Sequence, residues 1–257
     1  LEIIKKYSFE YYFLRFFELL QYSAADTIAI QTDGNSEFFS KKSKSYTKLI
    51  TVKTWYHLAK NFEPIANTNL TKIPFNDKKI CVYAGNLGLA QNQNFLLNVF
   101  KNLNDNEHHF LLIGQKELDR NSIMDLSKSM DIKNLSIIEA ISIQELNSVL
   151  QKSHLGIFSL DPRHETHNIP GKFLNYISVG LPVFGLSNKN NDINHTIKNN
   201  NLGSTYSGND DQEASKEFLK LSDKITRKLF NSESIKAYVK NELCPKKTTA
   251  KILNLLD

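Results

Sequence analysis

A chain of 257 residues with 40% hydrophobic content is long enough for one large core or two moderate ones, and its composition is that of an ordinary globular protein. The net charge of +5 is spread in short clusters, such as Lys41-Lys42-Ser43-Lys44 and Lys246-Lys247; no nucleic-acid motif accompanies them, so nucleic acid is excluded as a partner. No apolar run reaches about 18 residues, no signal peptide opens the chain, and Cys81 and Cys244 lie far apart, which together fit a reduced, cytoplasmic setting.

The chain opens on Leu1 rather than methionine, and the expectation is a processed or partial product lacking sequence before it. Residues 6–22 have helical character and carry Tyr7, Phe9, Tyr11, Tyr12, Phe13, Phe16 and Phe17 around most of the circumference. A helix apolar on all sides is buried or lies on something apolar. Packing into a core that includes the missing sequence is the first expectation, and peripheral contact with the inner face of the cytoplasmic membrane is the alternative. Short strands at 27–31 and 48–52, separated by a polar helix over about 33–42, make half of an α/β domain.

The pattern lapses from 61 to 77, with Pro64, Pro74 and many asparagines and threonines, and marks an interdomain connection. Regular alternation then resumes. Strands are expected at 79–84, 109–113, 135–138, 155–158, 182–184 and near 202–205, each separated by an amphipathic helix, which gives a doubly wound parallel sheet. Residues 210–256 read as two or three helices, with Pro245 placed where a helix begins. The expected division is a partial N-terminal domain and linker over 1–76, a Rossmann-like domain over 77–225, and terminal helices over 226–257 that return to the first domain.

Two loops carry the candidate chemistry. In Tyr83-Ala84-Gly85-Asn86-Leu87-Gly88-Leu89-Ala90-Gln91, two glycines let backbone N–H groups approach an anion, although they do not complete a dinucleotide fingerprint and no Walker lysine follows. In Asn168-Ile169-Pro170-Gly171-Lys172, a proline-led helix start carries a lysine that the helix dipole disfavours. A cation there makes sense when an anion shares the site, so Lys172 is the leading phosphate contact. Gly171 would permit close backbone approach, and Tyr176 is expected beside the site. Ala140 and Ile141, after the third strand of the sheet, stand where a nucleotide base meets backbone groups.

The pattern Gly-Asn-Leu-Gly-x-x-Gln at 85–91, with Pro-x-Lys-x-x-x-Tyr-x-x-x-Gly-x-Pro-Val at 170–183, resembles the C-terminal half of glycosyltransferase family 4. Within it, the similarity is to the subgroup that builds bacterial capsule, O-antigen and colanic-acid-type polysaccharides. Even Trp55, closing Lys48-Leu-Ile-Thr-Val-Lys-Thr-Trp, resembles the end of the first domain in that subgroup. The resemblance implies a GT-B architecture, a nucleoside-diphosphate sugar as donor, a lipid-linked or glycan acceptor, transfer with retained configuration, and no metal or other cofactor. Lys172, the 168–172 helix start and the Gly85–Gly88 backbone would then stabilise the departing diphosphate.

Where the family often carries two glutamates eight positions apart, this chain has His167 and Asn175. His167 would meet the sugar or a phosphate, Asn175 would hydrogen-bond the ribose, and Glu165 would stand in for the first carboxylate. Asn86 and Gln91 occupy positions where many members place arginine and lysine. Asp161, His164, Glu165 and His167 also have the chemistry of a metal set, but a polar loop containing Arg163 is the simpler account. His57, His108, His109 and His154 read as surface or strand-edge residues. Two alternatives stay open: a non-catalytic or truncated nucleotide-sugar-binding module, and a nucleotide-sugar 2-epimerase.

Overall fold

The computed structural model describes residues 4–42, 49–60, 62, 64–65, 69–87, 89–114, 117–163 and 167–254. The chain begins with α1 (Phe9–Ser23), β1 (Ile28–Ile30), α2 (Gly34–Lys42) and β2 (Leu49–Thr51). β1 and β2 pair in parallel, from Ile28 against Leu49 to Ile30 against Thr51. The Ser8 hydroxyl caps α1 by accepting the Tyr11 N–H at 3.3 Å, satisfying one of the helix's free donors.

No residue of α1 is buried against the described chain. Its half-buried positions are Tyr11, Arg15, Glu18 and Tyr22, one stripe at helical spacing. That stripe is polar: Arg15 pairs with Glu18, and the Tyr22 hydroxyl donates to Glu18 at 3.0 Å. The opposite stripe faces solvent with large rings, Phe9 being 79% and Phe16 58% exposed. α1 therefore turns its polar stripe inward and its aromatic stripe outward. Among the described residues, no helix is long and apolar enough to cross a membrane.

The second unit holds β3 (Lys79–Ala84), α3 (Gln93–Asn102), β4 (His108–Ile113), α4 (Glu117–Ser129), β5 (Leu135–Ile138), α5 (Ile143–Lys152), β6 (Leu155–Ser159), α6 (Gly171–Ser178), β7 (Val183–Leu186), α7 (Asp192–Asn199), β8 (Gly203–Tyr206) and α8 (Asp211–Thr226). Its sheet has the order β5-β4-β3-β6-β7-β8, and every pairing is parallel. Such strands are covered on both faces and so read as apolar runs. Ile80, Val82 and Ala84 join Leu150, Phe173, Ile197 and Val239 on one side. Cys81 and Tyr83 join Leu97, Ile123 and Phe218 on the other. Helices α5, α6 and α7 thus cover one face, and α3, α4 and α8 the other.

The strand expectations hold within a residue or two, the largest shift being at β7, which ends at Leu186. β4 starts at His108, which is buried rather than superficial: its ring bonds Asp105 at 2.8 Å and Ser222 at 2.7 Å. This pins the strand's start to α8. α9 (Ser232–Glu242) and α10 (Pro245–Leu253) complete the chain, with Pro245 opening α10. The end of α9 meets the first unit, where the Tyr56 N–H donates to the Leu243 carbonyl at 2.9 Å and Lys53 pairs with Glu242 at 2.8 Å.

Candidate functional site

The strand order reverses between β3 and β6, and ligands of doubly wound sheets bind outside the C-terminal ends of the strands at such a point. These two strands pair only at Cys81–Leu155 and Val82–Gly156, then part. Tyr176 braces the gap: its hydroxyl accepts the Ala84 N–H at 2.8 Å and donates to the Ile157 carbonyl at 2.9 Å. The two bonds take the place of missing ladder bonds. A Cβ on Gly156 would lie 2.3 Å from the Tyr176 ring, so glycine makes room for it. Tyr176 is fully buried; expected among the donor-binding residues, it instead supports the crevice from below.

Backbone forms the crevice floor. Gly85 follows β3 with φ +109, and Gly114 follows β4 with φ +88, conformations that favour glycine. A Cβ on Gly114 would sit 3.5 Å from the Gly85 Cα, so the two turns lie against each other. Asn86 is exposed, and its carbonyl accepts the Tyr83 hydroxyl at 3.2 Å. Gln91 ends a short 3-10 turn and is half-buried. Ala140 is exposed just beyond β5, whereas Ile141 packs on the core. Gly88 lies outside the described residues, as do Glu165 and His164.

α6 points its N-terminus at this floor. Pro170 occupies the cap position and offers no side-chain acceptor. The Phe173 N–H returns to the Pro170 carbonyl at 3.0 Å, while the N–H groups of Gly171 and Lys172 have no partner among the described residues. A Cβ on Gly171 would meet nothing within 4 Å, so the fold itself makes no demand for glycine there. Asn168 is exposed just ahead of the helix. Free N–H groups with open space before them make an anion site.

Lys172 reaches across the crevice from α6, on one face of the sheet, to Tyr83, whose ring packs in the core of the other. Its Nζ donates to the Tyr83 hydroxyl at 2.6 Å and lies 4.0 Å from the ring centroid. A Cβ on Gly85 would lie 3.6 Å from the Lys172 Cε. The lysine turn and the glycine turn are therefore on the same side and in contact. No carboxylate pairs with this ammonium among the described residues, and burial alone lowers its pKa to about 8. The site thus concentrates positive potential that nothing in the described chain neutralises.

Two other expected ligand contacts are engaged elsewhere. The Asn175 amide oxygen accepts the Tyr56 hydroxyl, which ties α6 to the first unit. The His167 Nδ1 lies 2.9 Å from Asp192 Oδ1, and its backbone is held by Asn35. Asp161, in the same loop region, is buried and gripped by the Arg163 guanidinium at 2.9 and 2.7 Å. A cavity of about 330 Å³ lies between the two units, lined by Gln31, Thr32, Phe173, His195 and Tyr238 among others. It includes none of the expected donor residues. Part of its rim is internally paired, Gln31 with Thr54 and Thr51 with Asp33; in the crevice the Gly85 N–H is taken up by the Ile113 carbonyl at 2.8 Å, while the Gly171 and Lys172 N–H groups have no partner among the described residues. The sequence did not signal Tyr83, because an aromatic residue in a strand reads as core; only its place at the strand's end brings its hydroxyl to Lys172.

No protein-family model matches the sequence, and no curated protein matches it. Solved structures do. The chain is similar to sucrose-phosphate synthase from Thermosynechococcus elongatus with a TM-score of 0.74 and 13% identity, over 93% of this chain and 59% of that one. It is similar to HepE of Anabaena in complex with UDP and glucose, with a TM-score of 0.74 and 10% identity, over 95% and 66%. It is also similar to the lipopolysaccharide outer core galactosyltransferase WaaB, with a TM-score of 0.64 and 14% identity, over 90% and 62%. The chain therefore spans about three-fifths to two-thirds of these relatives' length. At these identities the likeness establishes the fold: one complete Rossmann-like domain of GT-B type joined to part of a second α/β domain.

Proposed function

We propose that this chain is the donor-binding part of a glycosyltransferase that takes a nucleoside-diphosphate sugar. One observation carries the reading: the Lys172 ammonium, which no carboxylate among the described residues pairs, and the Gly171 and Lys172 N–H groups, which have no partner among those residues, converge on the glycine-floored crevice at the switch point. A diphosphate leaving group would draw Nζ from the Tyr83 hydroxyl and accept the helix-start N–H groups, with no metal needed to balance its charge. The HepE structure contains UDP and glucose, which supports this ligand class. Calorimetric titration with UDP tests it: Lys172→Ala is expected to weaken binding at least tenfold with little change in melting temperature. Unchanged affinity would reject the role.

The acceptor in this reading is a lipid-linked or glycan chain of a bacterial surface polysaccharide, transferred to with retention. The sequence resemblance and the lipopolysaccharide role named for WaaB support that assignment. The outward aromatic stripe of α1, with Lys5 and Lys6 exposed at its start, suits peripheral contact with an anionic lipid surface. A second reading, a binding module without turnover, is favoured by one observation: Asn175, where the family often has a carboxylate, is taken up by Tyr56. Product analysis with and without acceptor separates the two and also reveals any epimerisation.

A further inference from the structure

The loop that feeds α6 is held by the first unit, at a residue the sequence marks as a ligand contact. The Asn35 side chain grips the His167 backbone twice, donating to its carbonyl at 2.9 Å and accepting its N–H at 3.2 Å. The Asp192 carboxylate grips the ring: Oδ1 lies 2.9 Å from Nδ1, while Oδ2 accepts the Gly34 N–H at 2.6 Å. The Asp192 N–H donates to the same Nδ1 at 3.2 Å, so Asp192 meets the ring through its backbone as well as its carboxylate. Gln31 adds a longer contact from its Oε1 to the Ile169 N–H at 3.4 Å.

The joint is tight. A Cβ on Gly34 would fall 2.2 Å from the His167 ring and 2.7 Å from Asp192, so any side chain there pushes the joint apart. Three elements meet at this point: the start of α2, the start of α7, and the loop three residues ahead of Pro170.

We propose that Asn35 and Asp192 are positioning residues: by clamping His167 they fix the helix start that receives the donor diphosphate, so donor affinity depends on how the first unit is seated. The consequence for affinity rests on the donor-binding reading above; the clamp itself does not. His167 then works through its backbone and Nδ1 rather than by touching sugar.

Hydrogen exchange and UDP calorimetry on the whole chain test this with Asn35→Ala, with Asn35→Asp as a half-restored clamp that keeps only the acceptor. The amides of Ile169 and Phe173, neither of which bonds Asn35, are expected to exchange at least about fivefold faster in Asn35→Ala, and the Kd for UDP to rise about three- to tenfold, as loss of one or two net hydrogen bonds gives. Asn35→Asp should fall between. Unchanged exchange would overturn the clamp. Faster exchange with unchanged UDP affinity would overturn the coupling. Faster exchange in a protein whose wild type does not bind UDP would leave the clamp standing and remove the donor reading.

Discussion

Because burial lowers the Lys172 pKa to about 8 from an ordinary value of 10.5, its charge is titrated within a workable range. A bound diphosphate favours the ammonium and raises that pKa again, so binding takes up a proton in the window above about 8. In the free protein roughly nine-tenths of Lys172 is charged near pH 7 and roughly a tenth near pH 9. The Kd for UDP should therefore rise about tenfold across that interval, equivalent to ~1.4 kcal/mol. The assay is calorimetry at both pH values, repeated near pH 8.5 in two buffers of different ionisation enthalpy to count the protons. Lys172→Met keeps the stem without the charge and should bind weakly at both. In the absence of ligand the sign is independent of UDP: the folded state disfavours the ammonium, so stability should climb as pH rises from about 8 towards 10.5. A wild-type affinity that does not change with pH, or an equal slope in Lys172→Met, refutes the assignment of this ammonium to the diphosphate.

Gly171→Ala places a methyl group into empty space at a helix position where alanine is the better helix former, so melting temperature should hold or rise slightly. UDP affinity should fall, because only the ligand needs the space; unchanged affinity would separate the α6 start from the donor. Tyr176→Phe leaves the Ala84 N–H and the Ile157 carbonyl without their partner and should cost about 1–3 kcal/mol in a denaturant titration; no loss would mean that the strands close without the brace. Replacing Phe13, Phe16 and Phe17 by serine should abolish co-sedimentation with anionic liposomes while leaving UDP binding intact, whereas a wild type that does not sediment removes the lipid proposal.

The doubly wound sheet was legible because its central strands, such as Ile80-Cys81-Val82-Tyr83-Ala84, are apolar runs buried on both faces, and the strands alternate with helices. The meeting of Lys172 with the Gly85 turn was legible too, since a cation in a proline-led first turn conflicts with the helix dipole unless an anion answers it. The fates of His167, Asn175 and Tyr176 were not. All three are polar residues near a proposed site, and local sequence does not say whether a polar group faces a ligand or another part of the chain. Their partners, Asp192 and Asn35, Tyr56, and the Ala84 and Ile157 backbone, lie far away in sequence. For α1 the aromatic load predicted contact with something apolar but not which side of the helix meets the rest of the described chain.

Titrating isotopically labelled protein with UDP, followed by backbone amide resonances, tests the central claim most directly. The account predicts saturable shifts at Gly85, Gly171 and Lys172 with one common Kd, the largest at the α6 start. Shifts confined to the cavity around Gln31 and His195, or no saturation at the crevice, would contradict it.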